Sequence, residues 1–461
     1  MIVFEKLSNI VGITMARIIF LILLLVAGWY AYKGYVRIYH NILLGRDGSD
    51  EEKKHAHGLR NMLLVAFGQK KMFARPVPAI LHLFIYVAFI ITQFDLLEQV
   101  IDGLFGTHRI LSGVLGGFYS FMISFIELLS VLALVGTVVF LLRRNILRVP
   151  RVAGRGDLRG WPFKDANLIL LGEILLITGI FCMNGADQAL ASNWPVKYHS
   201  PGSFLFTSAL GPMWFGGLSE NLLHFIGKTG WWLHILVVMS FLVYLPYSKH
   251  LHILLAFPNT FFSPDKPRGA MTNMPEIEHE VKNMLGISAE GDSPAMSDDL
   301  QFGAHDVFQL SRYNLLNAYT CTECGRCTSV CPANITGKKL SPRKIMMDVR
   351  DRADEIRNNL TSDKAKFTGN ESTGNPLGYD DGKNLFDYIT KEEINACTTC
   401  NACVEACPVL INPLDIILQL RRYEILTESA GPPDWTPMFT NLENNSSPWQ
   451  MTEERAAWTQ G

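Results

Sequence analysis

Outside two short runs, cysteine is almost missing. The chain has 461 residues and nine cysteines, and eight of the nine fall within 321–331 and 397–407. The ninth, Cys182, sits in an apolar stretch, where a free cysteine behaves as a small core residue. With no cysteines spread along the chain, a disulfide scaffold is excluded. Net charge is nearly absent as well, at −2, so global charge points to no partner, nucleic acid included. No flavin or nucleotide fingerprint occurs. The glycines Gly113, Gly116 and Gly117 fall in an apolar run and read as helix packing. No small-residue cleavage site follows the first apolar run, which is too long for a secretory leader and reads as a retained membrane span. The mean hydropathy of +0.15 averages two unlike halves: apolar runs dominate to about residue 258, and polar sequence follows.

What is present begins with the cysteine runs, Cys321–Pro332 (CTECGRCTSVCP) and Cys397–Pro408 (CTTCNACVEACP). Each reads Cys-x2-Cys-x2-Cys-x3-Cys-Pro, the spacing of two-cluster ferredoxins, in which the fourth cysteine of each run ligates the other cluster. A cubane needs four soft thiolates converging on one small volume. One 4Fe–4S cluster is therefore expected on Cys321, Cys324, Cys327 and Cys407, and a second on Cys397, Cys400, Cys403 and Cys331. Structural zinc also takes Cys-x2-Cys pairs, but two four-cysteine runs that each end in Cys-Pro disfavour it.

Five apolar runs reach the roughly 20 residues a transmembrane helix needs, near 12–33, 78–100, 114–142, 166–190 and 230–257. Basic residues crowd the loop after the first run, from Lys33 to Arg75, and the loop after the third, from Arg143 to Lys164. The other two loops hold only Arg109, and Lys197 with Lys228. The positive-inside rule then puts the N-terminus outside an inner membrane and the cysteine runs in the cytoplasm, where thiols stay reduced. In the outer loop 191–228, Met213–Ile226 reads either as an interfacial helix or as a loop packed over the bundle. Residues 1–258 are expected to form the membrane domain and 259–304 a linker. Residues 305–426 are expected to form the cluster domain, with helices near Pro342–Ile356 and Pro413–Leu426 and a surface insertion at Thr361–Lys383. Residues 427–461 read as a tail, either a docking arm or a disordered end.

Histidine in a membrane helix needs a reason. His82, His224, His234, His250 and His252 lie in or at the edges of the spans. On a continuous fifth helix, His234 and His252 would be 18 residues apart, about five turns and about 27 Å, on one face. His250 would point about 160° away from His252. His82, near the inner start of the second span, matches His252 in depth, so the two are expected to ligate a haem b. His234 is a candidate for a second haem. The position opposite it on the second span is Thr92, and His108, His199 and His224 are the outer-side imidazoles. The alternative is core histidines bonded to their neighbours. Among the intramembrane carboxyls Asp95, Glu98, Glu127, Glu173 and Asp187, Glu127 or Glu173 is expected to move protons or to bond a haem propionate or a quinone oxygen. A protonated carboxyl bonded to a neighbouring helix is the alternative.

With these features in hand, the first 258 residues resemble the gamma subunit of respiratory nitrate reductase and the membrane subunit of heterodisulfide reductase. The likeness rests on five spans, His82 on the second, His234 and His252 18 residues apart, and the stretch PYSKHLHILLAFP. The family has a second histidine where this chain has Thr92. Residues 305–426 are similar to the two-cluster ferredoxin subunit of heterodisulfide reductases. No Cys-Cys-Gly repeat domain accompanies them, since all eight non-membrane cysteines are assigned.

The expected fold is mainly α: a five-helix transmembrane cytochrome b bundle followed by a mostly helical two-cluster ferredoxin domain. The expected function is a membrane-anchored electron-transfer subunit of a quinone-linked oxidoreductase. It would pass electrons between the (mena)quinone pool, haem b and two 4Fe–4S clusters, with a cytoplasmic subunit, Cys-Cys-Gly-bearing or flavoprotein, as partner. The resemblance implies a quinone site beside the outer part of the bundle. A membrane redox sensor or iron–sulfur anchor without quinone turnover is the other reading.

Overall fold

The computed structural model describes residues 2–49, 53–267, 269–287, 302–362, 378–450 and 456–459. Among them there is no β-strand. A single parallel bridge joins Arg46 to Ser311. Five helices are long and apolar enough to cross a membrane. They are α1 (Ile2–Ile42); α2 (Pro76–Ile91) with its continuation α3 (Gln93–Phe105); α4 (Gly117–Asn145); α5 (Trp161–Asn193); and, after a short α6 (Thr207–Phe215), α7 (Glu220–Tyr244). Their ends follow local chemistry. Pro76 and Pro162 lie in first turns, where the missing N–H costs nothing. Gly106 closes α3 in the left-handed conformation at φ 66°. Large side chains such as Leu25, Trp29, Phe121 and Leu171 remain exposed along the bundle. So wide an apolar surface fits lipid, not water.

The fifth span departs from expectation. It starts ten residues earlier, at Glu220, and ends at Tyr244. Pro246 sits in a 3-10 turn, Leu245–Tyr247. Ser248 is extended, a second 3-10 turn covers Lys249–Leu251, and α8 (His252–Phe261) begins a new direction. Proline's missing N–H and its ring break the ladder here. The one-face argument for His234 and His252 on a continuous 230–257 helix therefore does not apply. The outer segment 213–226 is likewise not one helix: α6 ends at Phe215, and Leu223 is fully buried in α7.

The polar half holds α9 (Pro275–Met284), α10 (Arg312–Thr320), α11 (Pro342–Leu360), α12 (Pro413–Arg422) and α13 (Trp435–Asn445). Ser311 and Ser341 cap α10 and α11 through their side chains. Thus the expected linker contains a helix, α9, and the expected tail contains another, α13, which buries no residue. Most of the expected insertion at Thr361–Lys383 lies outside the described residues.

The expected break at 258 does not separate two cores. Ile38 and Leu44 at the end of α1, and Leu251, belong to one buried cluster with Leu315, Ile345 and Ile417 of the polar half. Asn41 Nδ2 donates to Tyr319 Oη at 2.7 Å and to Asp354 Oδ1 at 2.8 Å. Asn259 on α8 donates to Val409 O at 2.8 Å.

Candidate redox centres

Each cysteine run folds as the same turn. The second residue after the first cysteine and the first after the next both adopt positive φ: Glu323 at 54° and Gly325 at 67°, then Thr399 at 55° and Asn401 at 61°. Such backbone curls the chain so that thiols point inward, and the proline after each last cysteine stiffens the exit. Cys321, Cys324, Cys327 and Cys407 line one small cavity. The last cysteine of the second run thus crosses to the first. Reciprocally, the thiols acting on Cys403 are Cys397, Cys331 and Cys400. Backbone N–H groups point at sulfur, from Thr399 to Cys397 at 3.4 Å and from Ile411 to Cys407 at 3.3 Å. Burial pushes the thiols of Cys321 and Cys403 up to about 12 and that of Cys407 up to about 11. Among the described residues, no three His, Cys, Asp or Glu lie close enough to hold one metal ion.

The imidazoles converge despite the broken fifth helix. His82 and His252 have ring centres 6.3 Å apart and planes at 43°. His252 Nδ1 lies 3.0 Å from Lys249 O. A carbonyl only accepts, so Nδ1 carries the proton and Nε2 has a free lone pair. His82 Nδ1 lies 3.2 Å from Gln69 Oε1, which leaves its Nε2 free in the same way. His234 repeats the pattern with Leu176 O at 3.2 Å. Contrary to the helical-wheel expectation, His250 does not point away. Its ring centre is 5.7 Å from that of His252, and its buried Nδ1 has no partner. Of the outer imidazoles, His108 bonds Asp187 at 3.0 Å and His224 bonds Tyr198 Oη at 2.8 Å.

The first thiol loop lies against the end of the bundle where α2 begins. Arg326 donates to Lys71 O and Met72 O, both at 3.2 Å. Arg75 donates to Ser329 Oγ at 2.8 Å. Buried Glu323 bonds Lys249 and, at 3.0 Å, Arg350. Burial alone would raise the Glu323 carboxyl, but these two cations outweigh it and hold it below the usual range. In the second run Cys400 is exposed.

At the opposite end of the bundle, a cavity of about 800 Å³ is lined by Glu98, Asp102, His108, Tyr198, His224 and Trp231, among others. Beside it, buried Arg109 lies 3.5 Å from Asp95 and 3.2 Å from Asp187, and it bonds Asn184. Sequence reasoning treated Arg109 as a lone loop cation. The signal for it was the set of carboxyls Asp95, Glu98 and Asp187 at the same depth, which need a counter-charge. Glu127 accepts from Phe206 N at 2.8 Å, Thr207 N at 3.2 Å and Asn184 Nδ2 at 3.0 Å. It therefore anchors the start of α6, the kind of neighbouring-helix bond given as the alternative for it.

The fold and the thiol turns define a helical protein with five membrane-length apolar helices and two four-cysteine turns of the kind that hold iron–sulfur clusters. Residues 320–411 match the 4Fe-4S dicluster domain family. The chain is 30% identical over 423 residues to a probable iron-sulfur-binding oxidoreductase of Bacillus subtilis, covering 85% of this chain and 53% of that one. It is 25% identical over 437 residues to the EtfAB:quinone oxidoreductase of Syntrophomonas wolfei, covering 90% and 56%. Over 158 residues it is 30% identical to a probable membrane-anchored ferredoxin of Chromohalobacter salexigens, covering 32% and 23%. The chain spans about half the length of the first two relatives. No solved structure matches.

Proposed function

We propose that this chain is the membrane electron-transfer part of a quinone-linked oxidoreductase, with haem b held by His82 and His252 beneath two 4Fe–4S clusters. The observation that carries the reading is the imidazole pair. A metal–imidazole bond runs about 2.0–2.1 Å, so two rings sharing one iron have centres about 6 Å apart. The rings stand 6.3 Å apart, each with Nδ1 bonded and Nε2 free. A hydrogen bond on Nδ1 fixes the ring and leaves Nε2 aimed at a metal, as in ligating histidines. The cluster ligands follow the thiol groups: Cys321, Cys324, Cys327 and Cys407 for one, Cys397, Cys400, Cys403 and Cys331 for the other. Iron at these places supplies one-electron steps, which divide the two-electron, two-proton chemistry of a quinone.

The same reading extends to a second haem on His234, whose Nδ1 is bonded to Leu176 O and whose Nε2 is free. The positive-inside pattern supports an outside N-terminus and a cytoplasmic cluster domain, with a cytoplasmic oxidoreductase subunit as partner. The Syntrophomonas relative, named for EtfAB and quinone, supports quinone as the membrane reactant. The outer cavity beside Arg109 is the place offered for it. The membrane-anchored ferredoxin relative favours the second reading, an anchor without quinone turnover. Mixing anaerobically purified protein with a reduced menaquinone analogue separates the two. Reduction of the haem absorbance bands supports the first reading. Bands that respond to dithionite but not to the quinol support the anchor.

A further inference from the structure

The two imidazoles sit on different elements, His82 on α2 and His252 at the head of α8. Each donates from Nδ1 to an acceptor that is itself tied to the first cysteine turn. Gln69, which accepts from His82, immediately precedes the turn Lys70–Ala74. Two carbonyls of that turn, Lys71 O and Met72 O, are held by the buried guanidinium of Arg326. Lys249, whose carbonyl accepts from His252, has its ammonium bonded to Glu323 and, at 2.5 Å, to Pro162 O. Arg326 and Glu323 both lie within the Cys321–Cys327 turn. Gln69 and Glu323 are buried non-glycine residues held in the left-handed region, at φ 49° and 54°. Backbone of that kind persists only where its surroundings enforce it. The second cysteine run reaches the Lys70–Ala74 turn through a longer, more exposed pair, Lys71 Nζ to Glu405 at 3.9 Å.

We infer that the Cys321–Cys327 turn, acting through Arg326–Gln69 and Glu323–Lys249, positions both imidazoles and sets their basicity, so that the first cluster's binding loop tunes the haem site. This rests on the haem reading above. An acceptor on a ligand's N–H makes the opposite nitrogen a stronger donor and favours the oxidised metal. A carboxylate nearby favours the oxidised state in the same direction. Gln69→Leu and Glu323→Gln should therefore favour reduced haem, and Gln69→Glu should favour oxidised haem.

The experiment uses the full chain, purified anaerobically. It reads the ferric haem EPR signal and the reduced-to-oxidised haem ratio at one fixed ambient potential. The expected result is at least a threefold rise in the ratio for Gln69→Leu and for Glu323→Gln, at least a threefold fall for Gln69→Glu, and shifted g values in all three. Glu323→Gln and Gln69→Glu nearly keep shape, so they report even if the leucine variant folds poorly. Arg352→Lys, buried in the same half but tied to neither imidazole, should leave the ratio and the g values unchanged. Unchanged spectra in the Gln69 and Glu323 variants would overturn the inference. So would Gln69→Leu and Gln69→Glu moving the ratio in the same direction, or Arg352→Lys moving it as far. Wild-type protein without haem would overturn the haem reading itself, and this inference with it.

Discussion

Gly179 of α5 and Gly230 of α7 face each other so closely that a Cβ on either would lie 2.8 Å from the carbonyl oxygen of the other. Small residues at a membrane helix crossing let backbones approach, and their dispersion contacts replace the missing hydrophobic force. A Cβ at Gly179 would also lie 3.1 Å from the backbone N and Cβ of His234. Gly179→Val is expected to overpack this crossing at a cost of about 1–3 kcal/mol. A thermal unfolding midpoint in detergent should fall by several degrees, while Gly113→Ala, where a Cβ meets nothing within 4 Å, should leave it in place.

Arg109 is the counter-charge for Asp95 and Asp187 at the end of the bundle opposite the first thiol loop. Removing one member of a buried charge group leaves the others uncompensated, at about 3–5 kcal/mol. Arg109→Met should therefore give little folded protein by size-exclusion chromatography. Arg109→Met combined with Asp95→Asn and Asp187→Asn should recover much of it. A triple variant no better than the single one would show that Arg109 acts through something other than these carboxylates.

Crossed cluster ligation has its own signature. Cys321→Ser and Cys407→Ser should lose one and the same low-temperature EPR signal of the reduced protein. Cys397→Ser and Cys331→Ser should lose the other. Either pair should cut iron and acid-labile sulfide by about half, since each cubane holds about four of each. If Cys407→Ser instead removed the signal lost in Cys397→Ser, each run would be holding its own cluster.

The polar half should weaken in acid at a definite place. Arg352 pairs with Asp306 and Asp381, both at 2.7 Å. Burial would raise the Asp381 carboxyl, but Arg352 outweighs it and holds it at about 2, below the usual 3.8. A folded value below the unfolded one means stability that is complete above about 4 and is lost as pH falls toward 2. The unfolding midpoint of wild type should slope downward between about pH 4 and pH 2, and Asp381→Asn should start lower and slope less.

The thiol turns were legible because their chemistry is local: four cysteines at fixed spacing and a proline cannot do much else. The five apolar helices were legible from length alone. What the sequence hid is whatever depends on where the chain bends. PYSKHLHILLAFP reads as a continuation of the fifth helix until Pro246 breaks it. His250 then lies beside His252 instead of opposite it, although His82 and His252 meet as expected. Glu127 looked like a proton carrier or a cofactor contact because an isolated carboxyl in a membrane run is costly. Its partners, the N–H groups of Phe206 and Thr207, are about 80 residues away, and no pattern announces them. Gln69 and Lys249 were missed for the same reason: an ordinary glutamine and lysine matter only once the cysteine turn is seen to rest on them.

The end of the first span reaches into the hydrophobic interior of the cysteine-bearing half, and Arg46 exchanges backbone hydrogen bonds with Leu310 and Arg312 at 2.9 and 3.0 Å. A gene fragment starting at residue 259 would leave that interior without Ile38, Leu44 and Leu251. It should yield aggregated or unfolded product, and fusing residues 34–49, which carry Ile38 and Leu44 without most of the apolar span, should restore part of its solubility.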